Sequence, residues 1–238
     1  MSKICLIKQG AGIGDILFCQ KIAKVYADKG YTVIWPIING FNFLVDYIKA
    51  DEYKDKIYYV DMNTNYPYKD KYEGKESYFT DDFVLLCLDT SQFVTGKKIM
   101  ESKYIISNID DFSDWSDYLH INRNLEKEKQ LMEHLGIGQG QPYSFVNKNF
   151  GSPPNYMRMN FNETPKHQVV NMGFHEGFNV FDWCGVLENA TEIFTVETSI
   201  NIIMETLKLK TDELHTYSRR SDFSEVEYMF KLNWNYHT

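Results

Sequence analysis

The sequence predicts an α/β protein in two similar-sized halves, and three observations predict it. Apolar runs of strand length alternate with helical patterns over residues 3–88 and again over residues 143–217, the order that builds mostly parallel sheets with helices on both faces. Between the two series lies Gly136-Ile137-Gly138-Gln139-Gly140-Gln141-Pro142, whose glycines and proline have the composition of a hinge or linker. The first strand runs through Gly10-Ala11-Gly12-Ile13-Gly14-Asp15 directly into a helical pattern. Glycines there let a ligand approach the backbone, and the free N–H groups at the positive end of the helix dipole attract phosphate or carboxylate.

In the first half, residues 3–8 read as a strand, 16–28 as a helix closed by Gly30, 32–37 as a strand, 41–49 as a short helix and 57–60 as a third strand. Residues 63–76, rich in Tyr and Lys and without periodicity, are expected as an exposed loop. Residues 83–88 resume as a buried strand. Residues 115–135 carry Leu119, Leu125, Leu131 and Leu135 at roughly helical spacing and are expected as one long helix. In the second half, residues 143–147, 167–172, 192–196 and 213–217 read as strands, and 180–189 and 200–207 as helices. Residues 226–234, after Ser224, form a helix-like stretch whose Tyr228, Met229, Phe230, Leu232 and Trp234 suit core or interdomain packing. The expectation is two Rossmann-like α/β domains, residues 1–138 and 139–238, with strand ends of both facing a cleft.

Composition narrows the classes. The 238 residues are 43% hydrophobic and 24% charged, ordinary for a soluble globular protein with a sizeable core. A formal net charge of -8 argues against nucleic acid as the main partner. No stretch approaches the ~20 apolar residues of a membrane span, and Met1-Ser2-Lys3-Ile4 lacks a signal-peptide profile, so a cytoplasmic protein is expected. Cys5, Cys19, Cys87 and Cys184 sit in apolar runs without C-x-x-C spacing, the pattern of buried free thiols. No HxH, HExxH or DxD occurs, so no metal site is expected. The acidic pairs Asp81-Asp82 and Asp110-Asp111 lie in polar stretches and are expected to face solvent.

The glycine turn excludes the common cofactors unevenly. The dinucleotide fingerprint needs its third glycine where Asp15 stands, and an acidic residue ending strand two, where the chain has Trp35-Pro36. A P-loop is excluded because no Gly-Lys-Ser/Thr follows. An S-adenosylmethionine-dependent methyltransferase remains an alternative: Gly-Ala-Gly-Ile-Gly resembles its glycine-rich turn, and Ser152-Pro153-Pro154-Asn155-Tyr156 resembles an Asn/Asp-Pro-Pro-Tyr motif. Against it, Lys8-Gln9 replaces the acidic residue before the first glycine. The plainest alternative is a turn whose glycines only permit tight packing. Asp15 sets the turn apart, because a carboxylate beside an anion site suits proton abstraction from a hydroxyl nucleophile.

A second strand–turn–helix follows at residues 193–207. Glu197 ends the strand, and Thr198 or Ser199 is a natural N-cap. Gly-x-Gly-Asp-Ile-Leu opening the first helix, together with strand–Glu-Thr-Ser–helix in the second half, resembles glycosyltransferases of the GT-B architecture, in particular the heptosyltransferase-like group. The resemblance implies an N-terminal acceptor domain and a C-terminal nucleotide-sugar donor domain. It implies a metal-independent, inverting transfer without a cofactor, from a nucleotide-sugar donor to a glycan or other hydroxyl acceptor. Asp15 matches that group's catalytic base, beside Gly12 and Gly14, and Glu197, Thr198 and Ser199 match its donor-binding motif. Candidate cations for the departing diphosphate are Lys148, Arg219 and Arg220, and His175, with Glu176, is expected at the cleft. Glu197 stands where the group carries Asp, Ile200 where it carries a small residue, and Ile202 and Ile203 where it has a late-helix His. A non-catalytic nucleotide-binding protein of the same fold is the further alternative.

Overall fold

The computed structural model describes residues 3–89, 94–138, 140–151, 156–220, 222–223 and 226–238. Residues 152–155 of the Pro-Pro segment, Gln139 at the expected boundary, and Ser224 lie outside them. The chain divides into two compact units, residues 1–122 and 123–238.

In the first unit, strands β1 (Lys3–Lys8), β2 (Tyr31–Ile37), β3 (Ile57–Asp61), β4 (Tyr78–Phe79) and β5 (Phe83–Cys87) form a sheet in the order β3-β2-β1-β5-β4. β4 alone runs antiparallel to its neighbour. The near-continuous apolar runs follow from burial of a parallel sheet on both faces. Along β1, Ile4 and Leu6 pack with Ile34, Leu85 and Cys87 on one face, while Cys5 and Ile7 alternate to the other and are equally buried. The expected helix over residues 16–28 is two, α1 (Ile13–Phe18) and α2 (Gln20–Asp28), joined at Cys19. Beyond α3 (Val45–Ile48) and α4 (Ile99–Ile106), Phe18, Tyr104 and Trp115 form an aromatic core, with ring centroids 5.0 and 5.2 Å from that of Phe18. The segment expected as an exposed loop, residues 63–76, is exposed over most of its length, with Tyr66 buried and Tyr72 and Gly74 half-buried. Tyr66 joins the face of Ile4 and Leu6, and Lys8 Nζ donates to the Gly74 carbonyl at 3.0 Å.

In the second unit, β6 (Tyr143–Asn147), β9 (Gln168–Asn171), β10 (Glu192–Val196), β11 (Leu214–Tyr217) and β12 (Asn235–His237) form an all-parallel sheet in the order β12-β11-β10-β6-β9. A small hairpin of β7 (Asn149–Phe150) and β8 (Met157–Arg158) follows β6. Helices α5 (Leu125–His134), α6 (Cys184–Asn189) and α7 (Ser199–Met204) supply Leu131, Val186, Leu187, Ile200 and Met204 to the core of one face, with Phe145, Trp183 and Ile193. Val146, Phe161, Phe194, Val196 and Tyr217 form the other. The described residues thus hold two five-stranded sheets, not the continuous seven-stranded sheet that a methyltransferase requires.

Two expected elements differ. The long helix over residues 115–135 is a 3-10 turn at Trp115–Tyr118 and, separately, α5. Asn122 ends the first unit by donating its N–H to Tyr47 O at 2.7 Å, whereas Leu131 of α5 is buried in the second core and Arg123 pairs with Glu128 and Glu188. The units therefore part between 122 and 123, before α5, rather than between 138 and 139. At the other end, Glu205 accepts the N–H groups of Lys231 and Leu232. That turns the chain out of the 3-10 turn Glu227–Met229 into edge strand β12, so the expected terminal helix is absent from the described residues.

Candidate functional site

Each sheet reverses strand order at one point, and there the candidate residues gather. In the first unit the reversal falls between β1 and β5, in the second between β6 and β10. In open α/β sheets, ligands bind outside the carboxyl ends of the strands at such points.

At the end of β1, Gln9 O accepts from Trp35 Nε1 at 2.8 Å and Gly10 O from the Ile38 N–H at 2.9 Å. A Cβ on Gly10 would lie 2.7 Å from Met62 Cε and 3.0 Å from Pro36 O, so the close approach demands glycine. Gly12, at φ +80°, is the N-cap of α1, and Gly14 lies half-buried in that helix. Asp15 follows in the first turn and folds back over Gly12, its Oδ2 2.6 Å from where a Gly12 Cβ would stand. Its Oδ1 lies 3.0 Å from Nζ of Lys103 in α4. Lys103 is buried and also donates to Gln9 Oε1 at 2.5 Å and to Leu88 O. One ammonium thus ties the end of β1, the residue after β5 and the first turn of α1. Sequence reasoning missed it. The available signal was a lysine within the apolar Ile99-Met100-Glu101-Ser102-Lys103-Tyr104-Ile105-Ile106.

In the second unit, Glu197 follows β10, buried, and accepts from Arg219 Nη2 at 3.1 Å. Arg219 is exposed and lies 5.8 Å from the Phe150 ring centroid. Thr198 caps α7, with Oγ1 accepting the Ile200 N–H at 3.3 Å, while Asn201 Oδ1 accepts the Thr198 N–H at 2.9 Å. These bonds already use part of the helix's free N–H set, so charge in this region comes mainly from side chains. Ser199 is the half-buried first residue of α7.

Lys148 follows β6. Its Nζ lies 2.6 Å from Glu163 and donates to Phe161 O at 3.1 Å. Burial alone would raise the Glu163 carboxyl, but the hydrogen bond and charge of Lys148, with Arg158 farther off, hold it below its usual value. Lys148, Asn149, Arg158, Asn171, Val146 and Met172 line a cavity of about 270 Å³ at the ends of β6 and β9. Arg158, exposed on β8, was not expected there. His175 belongs elsewhere: its Nδ1 is 3.0 Å from His134 Nε2 and its ring centroid 5.7 Å from that of Trp183, on the helix-covered face. Lys148 lies over Phe161, on the opposite face. Arg220 is exposed, and its N–H donates to Ser218 Oγ.

The four cysteines are free and buried, with burial pushing the Cys19 and Cys184 thiols up to about 12, so none is a ready nucleophile. Among the described residues, no group of three or more His, Cys, Asp or Glu could hold a metal ion. Nor is any helix among them long and apolar enough to cross a membrane.

No family model and no curated protein matches the chain. Solved structures do. The chain is similar to a glycosyl transferase family 9 protein from Veillonella parvula, with a TM-score of 0.59 and 9% identity over 100% of this chain and 87% of the other. It is also similar to the iron-containing dodecameric glycosyltransferase TibC of enterotoxigenic Escherichia coli, with a TM-score of 0.50 and 7% identity. That match covers 91% of this chain and 58% of TibC, so the chain spans less than two thirds of that protein. At these identities the likeness is one of fold.

Proposed function

We propose that the chain is a glycosyltransferase that moves a sugar from a nucleotide-sugar donor to a hydroxyl of a glycan or other acceptor, without a metal and with inversion. The observation that carries the reading is Asp15, a carboxylate held by a buried lysine at the reversal point of a sheet. The basic cavity near the corresponding point of the second sheet and the fold shared with glycosyltransferases support it.

In this mechanism Asp15 accepts the proton of the acceptor hydroxyl as that oxygen bonds the anomeric carbon. The bond from that carbon to the diphosphate breaks on the opposite side, and its electron pair leaves with the diphosphate. Arg158, Lys148 and Arg219 are the cations available to the departing charge. Lys148 would have to share its ammonium with Glu163, which makes Arg158 the stronger candidate clamp.

A thermal-shift panel of UDP-glucose, GDP-mannose, ADP-glucose, the free diphosphates, S-adenosylmethionine and S-adenosylhomocysteine tests the class. The reading expects stabilisation by a nucleoside diphosphate or its sugar. Stabilisation by S-adenosylhomocysteine alone would overturn it.

A further inference from the structure

We infer that Lys103 is a positioning residue that fixes which oxygen of Asp15 receives the proton, an inference that rests on Asp15 being the base. A buried ammonium is tolerated only when its donors are met. Lys103 meets Gln9 Oε1, the Leu88 carbonyl and Asp15 Oδ1. The first two acceptors are neutral, so Asp15 supplies the balancing charge. Gln9 is itself fixed, since its amide donates to Ala11 O at 2.8 Å, and Leu88 follows a central strand. The ammonium is therefore anchored at two points beside the sheet and holds the half-exposed Asp15 at the third.

The carboxylate is thereby divided by role. Oδ1 is committed to Lys103. Oδ2 lies against Gly12, whose missing side chain leaves the space it occupies, and is the oxygen left to accept a proton. In the transfer step, the acceptor O–H proton passes to Oδ2 while the new glycosidic bond forms and the diphosphate departs with the electron pair of the broken bond. Oδ1 keeps its contact with Lys103 throughout. Lys103 touches no reacting atom and acts through Asp15.

The test measures nucleoside diphosphate release from UDP-glucose, GDP-mannose or ADP-glucose, whichever the protein turns over, for Lys103→Met, Lys103→Arg, Asp15→Asn and the Lys103→Met/Asp15→Asn double variant. Lys103→Met should lower kcat ~10²-fold, within the range of a misplaced general base, with donor KM within twofold. Lys103→Arg, which keeps the charge, should recover a substantial part of the loss. In the Asp15→Asn background, Lys103→Met should cost nothing further, because residues acting as one unit are non-additive. Equal cost in both backgrounds, or unchanged kcat in Lys103→Met, overturns the inference while leaving Asp15 as the base. Near-normal turnover by Asp15→Asn removes the base itself, and this inference with it. Should Lys103→Met fail to fold, Lys103→Gln decides the matter, since it removes the ammonium that holds Asp15 while keeping a polar side chain beside Gln9 and Leu88. It should lower kcat comparably with donor KM held, and unchanged kcat overturns the inference.

Discussion

Asp15, in the first turn of the helix after β1, and Glu197, directly after β10, both lie beyond the carboxyl ends of central strands, yet their partners give them different chemistry. Asp15 is half-exposed and held by a buried cation, so it can reach a substrate proton. Glu197 is buried and held by an exposed cation, so its first effect is on the fold. Arg219→Ala should therefore lower unfolding free energy by ~1–3 kcal/mol, the cost of leaving a buried charged acceptor unmet, read as a drop in urea midpoint at constant slope. If Arg219 also clamps the donor, the same variant raises donor KM while kcat changes little. Gly10→Ala should cost ~1–3 kcal/mol through overpacking, because the nearest backbone atom, Pro36 O, cannot yield as Met62 can. Asp15 was legible in the sequence because a carboxylate closing a glycine turn is chemically odd. Lys103 was not, because only the pairing of β1 with β5 brings α4 to the end of the first strand. Arg158 was hidden for a similar reason: a two-residue hairpin, too short to leave a periodic signal, folds it over the end of β6.

At the scale of elements, the strands were more legible than the helices. β6 and β10 match their expected bounds because their apolar runs are buried on both faces. Leu119 and Leu131 share a helical spacing but belong to the cores of different units, so periodicity joined what packing separates. Thr198→Ala removes the cap of α7 and should lower stability by ~0.5–2 kcal/mol, measurable by denaturant melts with the fold otherwise intact. Strand β12 is fastened partly by rings: His215 Nδ1 lies 2.9 Å from His237 Nε2, with Phe194 stacked on His215 and Tyr217 on His237. Burial, then the neighbouring His237, hold the His215 ring below its usual value of 6.5, with Glu213 and Glu192 opposing and Lys166 adding to the depression. The folded state therefore favours the neutral ring. As pH falls through 6.5 the unfolded chain binds the proton first, and stability present above that pH is lost. Urea midpoints taken at pH 7.5 and pH 5 should fall more steeply for the wild type than for His215→Gln, and parallel falls would contradict this.

The whole molecule repeats one plan. The first unit lays its first strand, β1, at the centre and the second lays its first strand, β6, beside the centre; each sends the chain to one side of that strand and returns it to the other. The return creates the reversal point where Asp15 and Lys103 stand in one unit and Lys148 and Glu197 in the other. A shared fold at 9% identity carries the plan but not the chemistry, which rests on these side chains. Arg158→Ala should reduce thermal stabilisation by a nucleoside diphosphate while leaving the ligand-free melting temperature nearly unchanged, because Arg158 is exposed. A shift identical to that of the wild type would exclude Arg158 from the donor site. The central claim, that Asp15 is the base of a glycosyl transfer, is tested most directly by steady-state release of nucleoside diphosphate from Asp15→Asn. The predicted result is a loss of ~10²–10⁴-fold in kcat with donor KM within twofold of the wild type. Turnover close to that of the wild type would contradict it.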